Sequence, residues 1–400
     1  MYARFACHSR RSIRHHMLAI SVSLALLLVM VSPLFPKSAV EAAGQASYVY
    51  QTVFSGAQFD SGHDEAVDED GNAYVLARAY DTSNDVMVVK LSPSGKVLFV
   101  TYLRGYLNEW GTGLALDAQG GLLVCGWTDS PDFPVVNAAQ PTKDNRRSAF
   151  LTRISTEDGA VLYSSFFGAS GVDEFHDIAV NPSGEIFLVG KTDSTDFPTL
   201  HPIQASLNTT SSFQSDAFVL MLSADARTIL YSTYLGGEAA DQGDSIGLDA
   251  AGNIYIAGIT KSNSFPMANP IQPTRGGDSD AWLARIAAGG SHLDYSTYLG
   301  GTKTEYVGRI AVAADGHMTM AGTTNSSNYP TTPDSYQPVF GGGVVGTAGF
   351  GQRSAYDACV TRLAPTGTLA YSTYLGGAND DEARGVVVDS SGDATSGSIC

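Results

Sequence analysis

The stretch Tyr-Ser-Thr-Tyr-Leu-Gly-Gly stands without a change at residues 231–237, 295–301 and 371–377, and looser copies begin at Tyr50, Phe99 and Tyr163. A seven-residue identity found three times in 400 residues marks tandem units, and that decides the fold before composition is consulted. It fixes an architecture and leaves the chemistry open, because a scaffold repeat is a packing solution.

Aligned on the first aromatic residue, the six copies run in register. Twenty-one residues on, every copy has glycine: Gly71, Gly120, Gly184, Gly252, Gly316 and Gly392. An apolar stretch precedes it and an alternating apolar stretch follows, as in Asn253-Ile-Tyr-Ile-Ala-Gly. This pattern predicts a strand, a tight turn needing positive φ at the glycine, and a second strand. Third strands are predicted at 86–91, 149–154, 217–222, 281–286 and 358–363, and the quoted signature is itself the fourth. Four antiparallel strands per unit predict an all-β fold, a β-propeller of four-stranded blades. About six blades are present, with unit starts near 50, 99, 163, 231, 295 and 371 and the last unit incomplete.

Composition agrees. Gly reaches 43, Tyr and Phe 19 and 17, and charged residues only 16%, a profile of short strands joined by tight turns.

The signature, the Asp-Ala-Ala-Gly-Asn-Ile-Tyr turn at 249–255 and the Asp-Ala-Phe-Val run at 216–219 together resemble the bacterial SBBP-type β-propeller repeat. The resemblance covers about residues 48–392. It implies an exported or cell-surface propeller and carries over no catalytic residue.

Residues 1–42 read as an export signal peptide, and 43–400 as the propeller domain. Arg4, Arg10, Arg11 and Arg14 precede an uncharged apolar run at 17–31, and small residues flank Glu41 for cleavage after Ala42. Ser-Arg-Arg-Ser-Ile at 9–13 also fits a twin-arginine signal. The leader holds five basic residues and one acid, so the mature chain carries 18 − 39 = −21 charges. Such a surface repels nucleic acid and anionic membranes, and no second apolar run is long enough for a membrane span. The expected location is extracytoplasmic, secreted or at the cell surface. Cys125 and Cys359 lie in apolar strand runs and are expected as core residues.

Residues 48–54 have the fourth-strand pattern and are expected to complete the last blade, closing the ring. The last unit departs from the second-strand pattern at 393–399 and stops at Cys400. Either a six-bladed ring has one thin blade or a larger ring continues; the unpaired edges of an open ring favour the second.

Ten residues after each start comes an acid: Asp60, Glu109, Asp173, Asp241, Glu305 and Asp381. Two readings stand. The carboxylates line the mouth of the central channel and bind a cation such as calcium or a cationic ligand group, or each accepts backbone N–H bonds and fixes its own loop. His63 and His176 share one unit position, three residues after their acids, a spacing that could supply a metal pair. The Phe-Pro or Tyr-Pro pairs at Phe133, Phe197, Phe265 and Tyr329, each followed by Gln140, Gln204, Gln272 or Gln337, either plug the groove between blades or offer a stacking surface. The long Gly-rich loop at 341–351 breaks the symmetry. Residues 68–72 lack the remaining ligand positions of a calcium loop.

Two function classes follow. One is a non-enzymatic binding scaffold for a protein or polysaccharide partner. The other is a propeller glycan hydrolase or lyase using two of the acids. No nucleophile elbow or phosphate-cradling loop is present in the sequence.

Overall fold

The computed structural model describes residues 19–22, 52–55 and 61–398, apart from loop positions 81–82, 118, 145, 209–210, 212–213, 346–352 and 390–391. Five four-stranded antiparallel sheets follow one another, each in simple chain order. Their first strands are Ser61–Val67, Glu109–Leu116, Asp173–Val180, Asp241–Leu248 and Glu305–Val312. Their fourth strands are Val97–Leu103, Val161–Phe167, Ile229–Leu235, Leu293–Leu299 and Leu369–Leu375, each containing the signature or its looser copy. A sixth unit contributes a hairpin, Ala383–Val388 with Ala394–Ser398. First strands of successive units pack side by side. This is the blade order of a β-propeller, with the signature as the outer strand.

The core lies between blades. Leu123, Cys125 and Leu151 of the second blade close on Phe175, Phe218 and Tyr234 of the third. Equivalent clusters follow between the third and fourth blades and between the fourth and fifth. Cys125 and Cys359 are buried and unbridged, as their apolar strands predict.

The signature is explained residue by residue. Its first aromatic packs beneath the turn between the third and fourth strands of the next blade. A Cβ on Gly290 would lie 2.2 Å from the Tyr231 ring, and one on Gly367 would lie 2.6 Å from Tyr295. Both glycines also have positive φ, 81° and 82°, so the turn closes over the tyrosine only without a side chain. The threonine hydroxyl accepts the loop glutamine's N–H, at 2.9 Å for each of Gln204–Thr233, Gln272–Thr297 and Gln337–Thr373. The second tyrosine holds the Phe-Pro loop: Tyr298 Oη donates to the Ser262 carbonyl at 2.8 Å and accepts from Phe265 N at 3.2 Å. Tyr234 and Tyr374 repeat this pair of bonds. Phe133, Phe197, Phe265 and Tyr329 are all buried, so the aromatic-proline pairs plug the fold.

One expectation is corrected, and the last unit is incomplete as expected. Thr52–Ser55 pairs antiparallel with Ala19–Val22 and, among the described residues, not with the last unit. The departure from pattern after Gly392 does not prevent a second strand, since Ala394–Ser398 pairs with Ala383–Val388. Backbone bonds form the hairpin without the usual aromatic. No helix among the described residues is long and apolar enough to cross a membrane.

Candidate functional site: the mouth of the central channel

The repeated acids open the first strands, and four of them are sealed. Glu109, Asp173, Asp241 and Glu305 are at most 1% exposed. Glu109 accepts Gly105 N at 2.9 Å and Thr128 Oγ1 at 3.0 Å. Asp173 accepts Ala169 N at 2.8 Å together with Thr192 Oγ1 and Ser194 Oγ. Asp241 accepts Gly237 N and Ser262 Oγ, both at 2.7 Å, and Glu305 accepts Thr324 Oγ1 at 2.6 Å. Asp381 takes Gly377 N at 2.7 Å; Asp60 lies outside the described residues. Burial pushes Asp241 up to about 6 and Glu305 up to about 7, against the pull of these donors. Of the two readings of the acids, these four fit the second: each is buried against its blade-to-blade loop, and none lines the cup. Among the described residues no three His, Cys, Asp or Glu side chains converge as metal ligands.

Three residues further on, the six first strands do something else. Each has a register shift at the same place, between Gly62 and Asp64, Gly111 and Gly113, Phe175 and Asp177, Gly243 and Ser245, Val307 and Arg309, and Ala383 and Gly385. A β-bulge sets one residue apart from the ladder and re-aims its side chain. The residues set apart are His63, Thr112, His176, Asp244, Gly308 and Arg384, and all six line one cavity of about 560 Å³ with Trp110, Trp127, Val307 and Arg309. The same unit position that holds His63 and His176 thus forms the wall of a central cup, completed by different side chains from each blade.

Arg309 forms the floor. It donates to Asp177 of the third blade, pairs with Asp64 of the first at 3.1 Å, and reaches the Thr112 carbonyl of the second at 3.2 Å. Asp177 also accepts Ser245 Oγ at 2.8 Å and Ile246 N at 2.9 Å from the fourth blade. One half-buried guanidinium thereby ties five blades together across the axis. Burial opposes its charge, yet Asp177 and Asp64 hold it protonated. Burial raises Asp64 to about 6, opposed by Arg309.

On the wall, His176 lies between Asp244 and Glu174, 3.3 Å from each. Burial opposes its charge, but the two carboxylates raise it to about 9, so the ring is an imidazolium at neutral pH. Glu174 also meets Arg147 at 2.8 Å and Lys191 at 3.1 Å. Despite burial, its partners hold it near 2. Asp244 Oδ1 accepts Gln242 Nε2 at 2.7 Å, and its Oδ2 has no hydrogen-bond partner. Trp110 and Trp127 stack at 5.8 Å with planes 5° apart. Arg147 covers the outer face of this pair, 3.5 Å over Trp127, and Arg78 lies 4.8 Å from Trp110. His63 meets Trp110 edge-on at 5.0 Å. Burial, then Arg78, Arg384 and Arg309, lowers His63 to about 4 and keeps it neutral.

The cup thus combines an indole pair with charged groups, and Arg309, His176, Arg147 and Arg384 are each matched by a carboxylate. Sequence reasoning missed Trp110, Trp127, Asp244, Arg309 and Arg384. For Asp244 and Arg384 the available signal was the unit position they share with His63 and His176.

Fold and site define a β-propeller with an open central cup. Residues 230–266, covering the signature strand of the third blade and the first two strands of the fourth, match the SBBP family model, described as a beta-propeller repeat. No curated protein matches the chain. Among solved structures it is similar to a gluconolactonase of Xanthomonas campestris, at 12% identity over 84% of this chain and 83% of that one, TM-score 0.41. It is also similar to the Pan2 WD40 domain of Neurospora crassa, at 7% identity over 84% and 85%, TM-score 0.37. A third likeness is to a Synechocystis apocarotenoid oxygenase, at 9% identity and TM-score 0.36; the match covers 80% of this chain and 62% of that one.

Proposed function

We propose that the protein is a non-enzymatic binding propeller, secreted or held at the cell surface, that takes the end of a glycan chain in the central cup. The observation that carries this reading is the ring of six bulges aiming six different positions into one cavity of about 560 Å³. A site of that volume matches a small ligand or a chain end. Its content points to sugar hydroxyls, which donate and accept at once. Arg309 and Arg384 supply donors, and Asp244 supplies acceptors, its Oδ2 having no hydrogen-bond partner. Because Arg309 and His176 are already matched by carboxylates, a bare ion gains little there. A flat protein surface would not reach the floor.

Support for binding over hydrolysis or elimination comes from proton affinities. Sugar-cleaving chemistry needs a carboxylic acid that holds its proton near neutrality. Asp241 and Glu305 have that property but are sealed in loop tethers; Asp64 on the floor is raised to about 6 but is tied to Arg309 and to Leu114 N, and Glu174 beside the cup is held near 2.

The test is titration of the mature chain with neutral chito-oligosaccharides and acidic oligogalacturonides, read by calorimetry and by the fluorescence of Trp110 and Trp127. Saturable binding weakened by Asp244→Asn is the expected result. Silence with both glycan classes sinks the reading. Export is checked by mass spectrometry of the extracytoplasmic fraction, where a chain beginning at Ala43 is expected and retention of the leader inside the cell is not.

A further inference from the structure

The cup does not end at its rim. A smaller cavity of about 180 Å³ adjoins it, lined by Tyr306, Val307, Gly308, Thr323, Tyr356, Glu382, Ala383 and Arg384. Val307, Gly308 and Arg384 belong to both cavities, so the two are one groove, running from the channel axis outward between the fifth blade and the sixth unit.

The outer part has a chemistry the cup lacks. In the cup the two indoles cover each other, and guanidinium groups lie against them. In the outer part Tyr306 is 46% exposed. It meets Tyr356 at 5.9 Å with the planes 55° apart, and a tilted pair does not cover the ring face as a parallel stack does. Arg353 lies on Tyr356 at 4.9 Å and is anchored to Asp380 by two bonds, which fixes the second ring. The Glu382–Arg384 pair, at 2.9 Å, borders the same ledge. An aromatic face flanked by a carboxylate and a guanidinium matches a pyranose ring, which is apolar on its C–H face and polar at its rim.

The ledge is specific to one blade. The residue one place after the acid is Trp110, Glu174, Gln242, Tyr306 and Glu382 in the second to sixth units, and only the fifth places a tyrosine there beside a second tyrosine from its own loop. At the bulge position of this blade a side chain is also excluded. A Cβ on Gly308 would lie 2.4 Å from the Ala383 carbonyl, so the bulge position of the fifth blade carries no side chain between ledge and cup.

We propose that Tyr306 and Tyr356 form a second sugar subsite, continuous with the cup across Arg384, and that the ligand is an oligosaccharide reaching from the channel axis to the ledge. This rests on the glycan reading of the cup. The ledge contributes through ring stacking, and the cup contributes through hydrogen bonds to the chain end.

The test uses the same chito-oligosaccharide and oligogalacturonide series, graded by length, with wild type, Tyr306→Ala and Tyr306→Phe. Tyr306 is a surface ring, so the alanine variant is expected to fold, which thermal melting checks. In wild type the affinity is expected to rise with length until the ledge is filled. Tyr306→Ala is expected to bind the shortest sugar as wild type does and to bind longer ones roughly three- to tenfold less tightly, the range for loss of one ring contact. Tyr306→Phe should retain the gain with length. Length-independent binding by wild type, or a gain that survives Tyr306→Ala, overturns the second subsite while leaving the cup reading intact. Binding of an unmodified peptide that depends on Tyr306, without a length effect for sugars, assigns the ledge to a protein partner instead. Failure of wild type to bind any sugar removes both readings together.

Discussion

Two rings of residues lie three positions apart along the same inner strands, and they have opposite character. The ring of acids repeats: Glu109, Asp173, Asp241 and Glu305 are all carboxylates, all buried, and all bonded to a loop amide or hydroxyl of their own neighbourhood. The ring of bulges diverges into His63, Thr112, His176, Asp244, Gly308 and Arg384, and all face the cup. In a tandem-repeat fold, identity at a unit position reports a role every blade shares, which is structural. Divergence at a position that the backbone singles out reports a site assembled once.

The comparison can be broken from several sides. The largest effect is expected where the diverging ring meets the structure. Asp177→Ala removes the buried one of the two carboxylates on the half-buried Arg309 and also orphans Ser245 Oγ and Ile246 N. It should cost about 3–5 kcal/mol, as other broken buried ion pairs do. A denaturant midpoint almost unchanged in this variant would show that the floor does not hold the blades together.

Next come the repeated acids. Asp241→Ala leaves Gly237 N and Ser262 Oγ without their acceptor and should cost about 1–3 kcal/mol, with glycan affinity unchanged when measured well below the melting temperature. Loss of affinity with unaltered stability would reverse the roles assigned to the two rings. Tyr298→Phe removes the hydroxyl that bridges Ser262 and Phe265, at a cost of about 1 kcal/mol. The ring itself is tolerated, because Phe166 stands at the same unit position in the second blade.

Acidity separates the rings further. Glu305 and Asp241 have folded-state proton affinities raised to about 7 and about 6. Between the ordinary carboxylate range and those values the folded chain holds protons that the unfolded chain has released. Their contribution to stability is therefore fully present below the unfolded value and is lost as pH rises through 6 to 7. His176 is raised as well, but as a base. Its stabilisation is present below its ordinary value of 6.5 and is lost as pH rises through about 9. Melting curves of wild type and Glu305→Gln across this range should differ by a flatter slope between pH 5 and 7 for the variant; parallel curves would contradict the raised affinity.

The smallest stability effect is expected at the rim. The Arg384 side chain is 67% exposed, and Arg384→Ala should change stability by no more than about 0.5 kcal/mol. It should nonetheless weaken glycan binding, which sharpens the contrast with Asp241→Ala.

Much of the fold was legible because local rules suffice for it. The period of the signature, the glycine twenty-one residues on and the alternation between them are short-range signals, and each recurs. The recurrent Gln204, Gln272 and Gln337 were visible as a pattern, and their meaning emerged only when the threonine hydroxyls of the signature were found bonded to them. The acids were found for the right reason, recurrence, and their burial follows from the loop hydroxyls and amides that surround them.

The site was less legible. His63 and His176 were picked out by shared position, yet their partners come from other blades. Nothing in the spacing of Asp64, Asp177 and Arg309 says that residues up to 245 positions apart converge on one floor. The sequence by itself determined the repeat, the strand pattern and the all-β architecture, since these depend on contacts within a unit or with its neighbour. Only the tertiary structure decided which unit position faces the axis. That depends on a bulge that sets one residue out of the ladder, and on the ring geometry that brings six such positions, five of them with side chains, to one place.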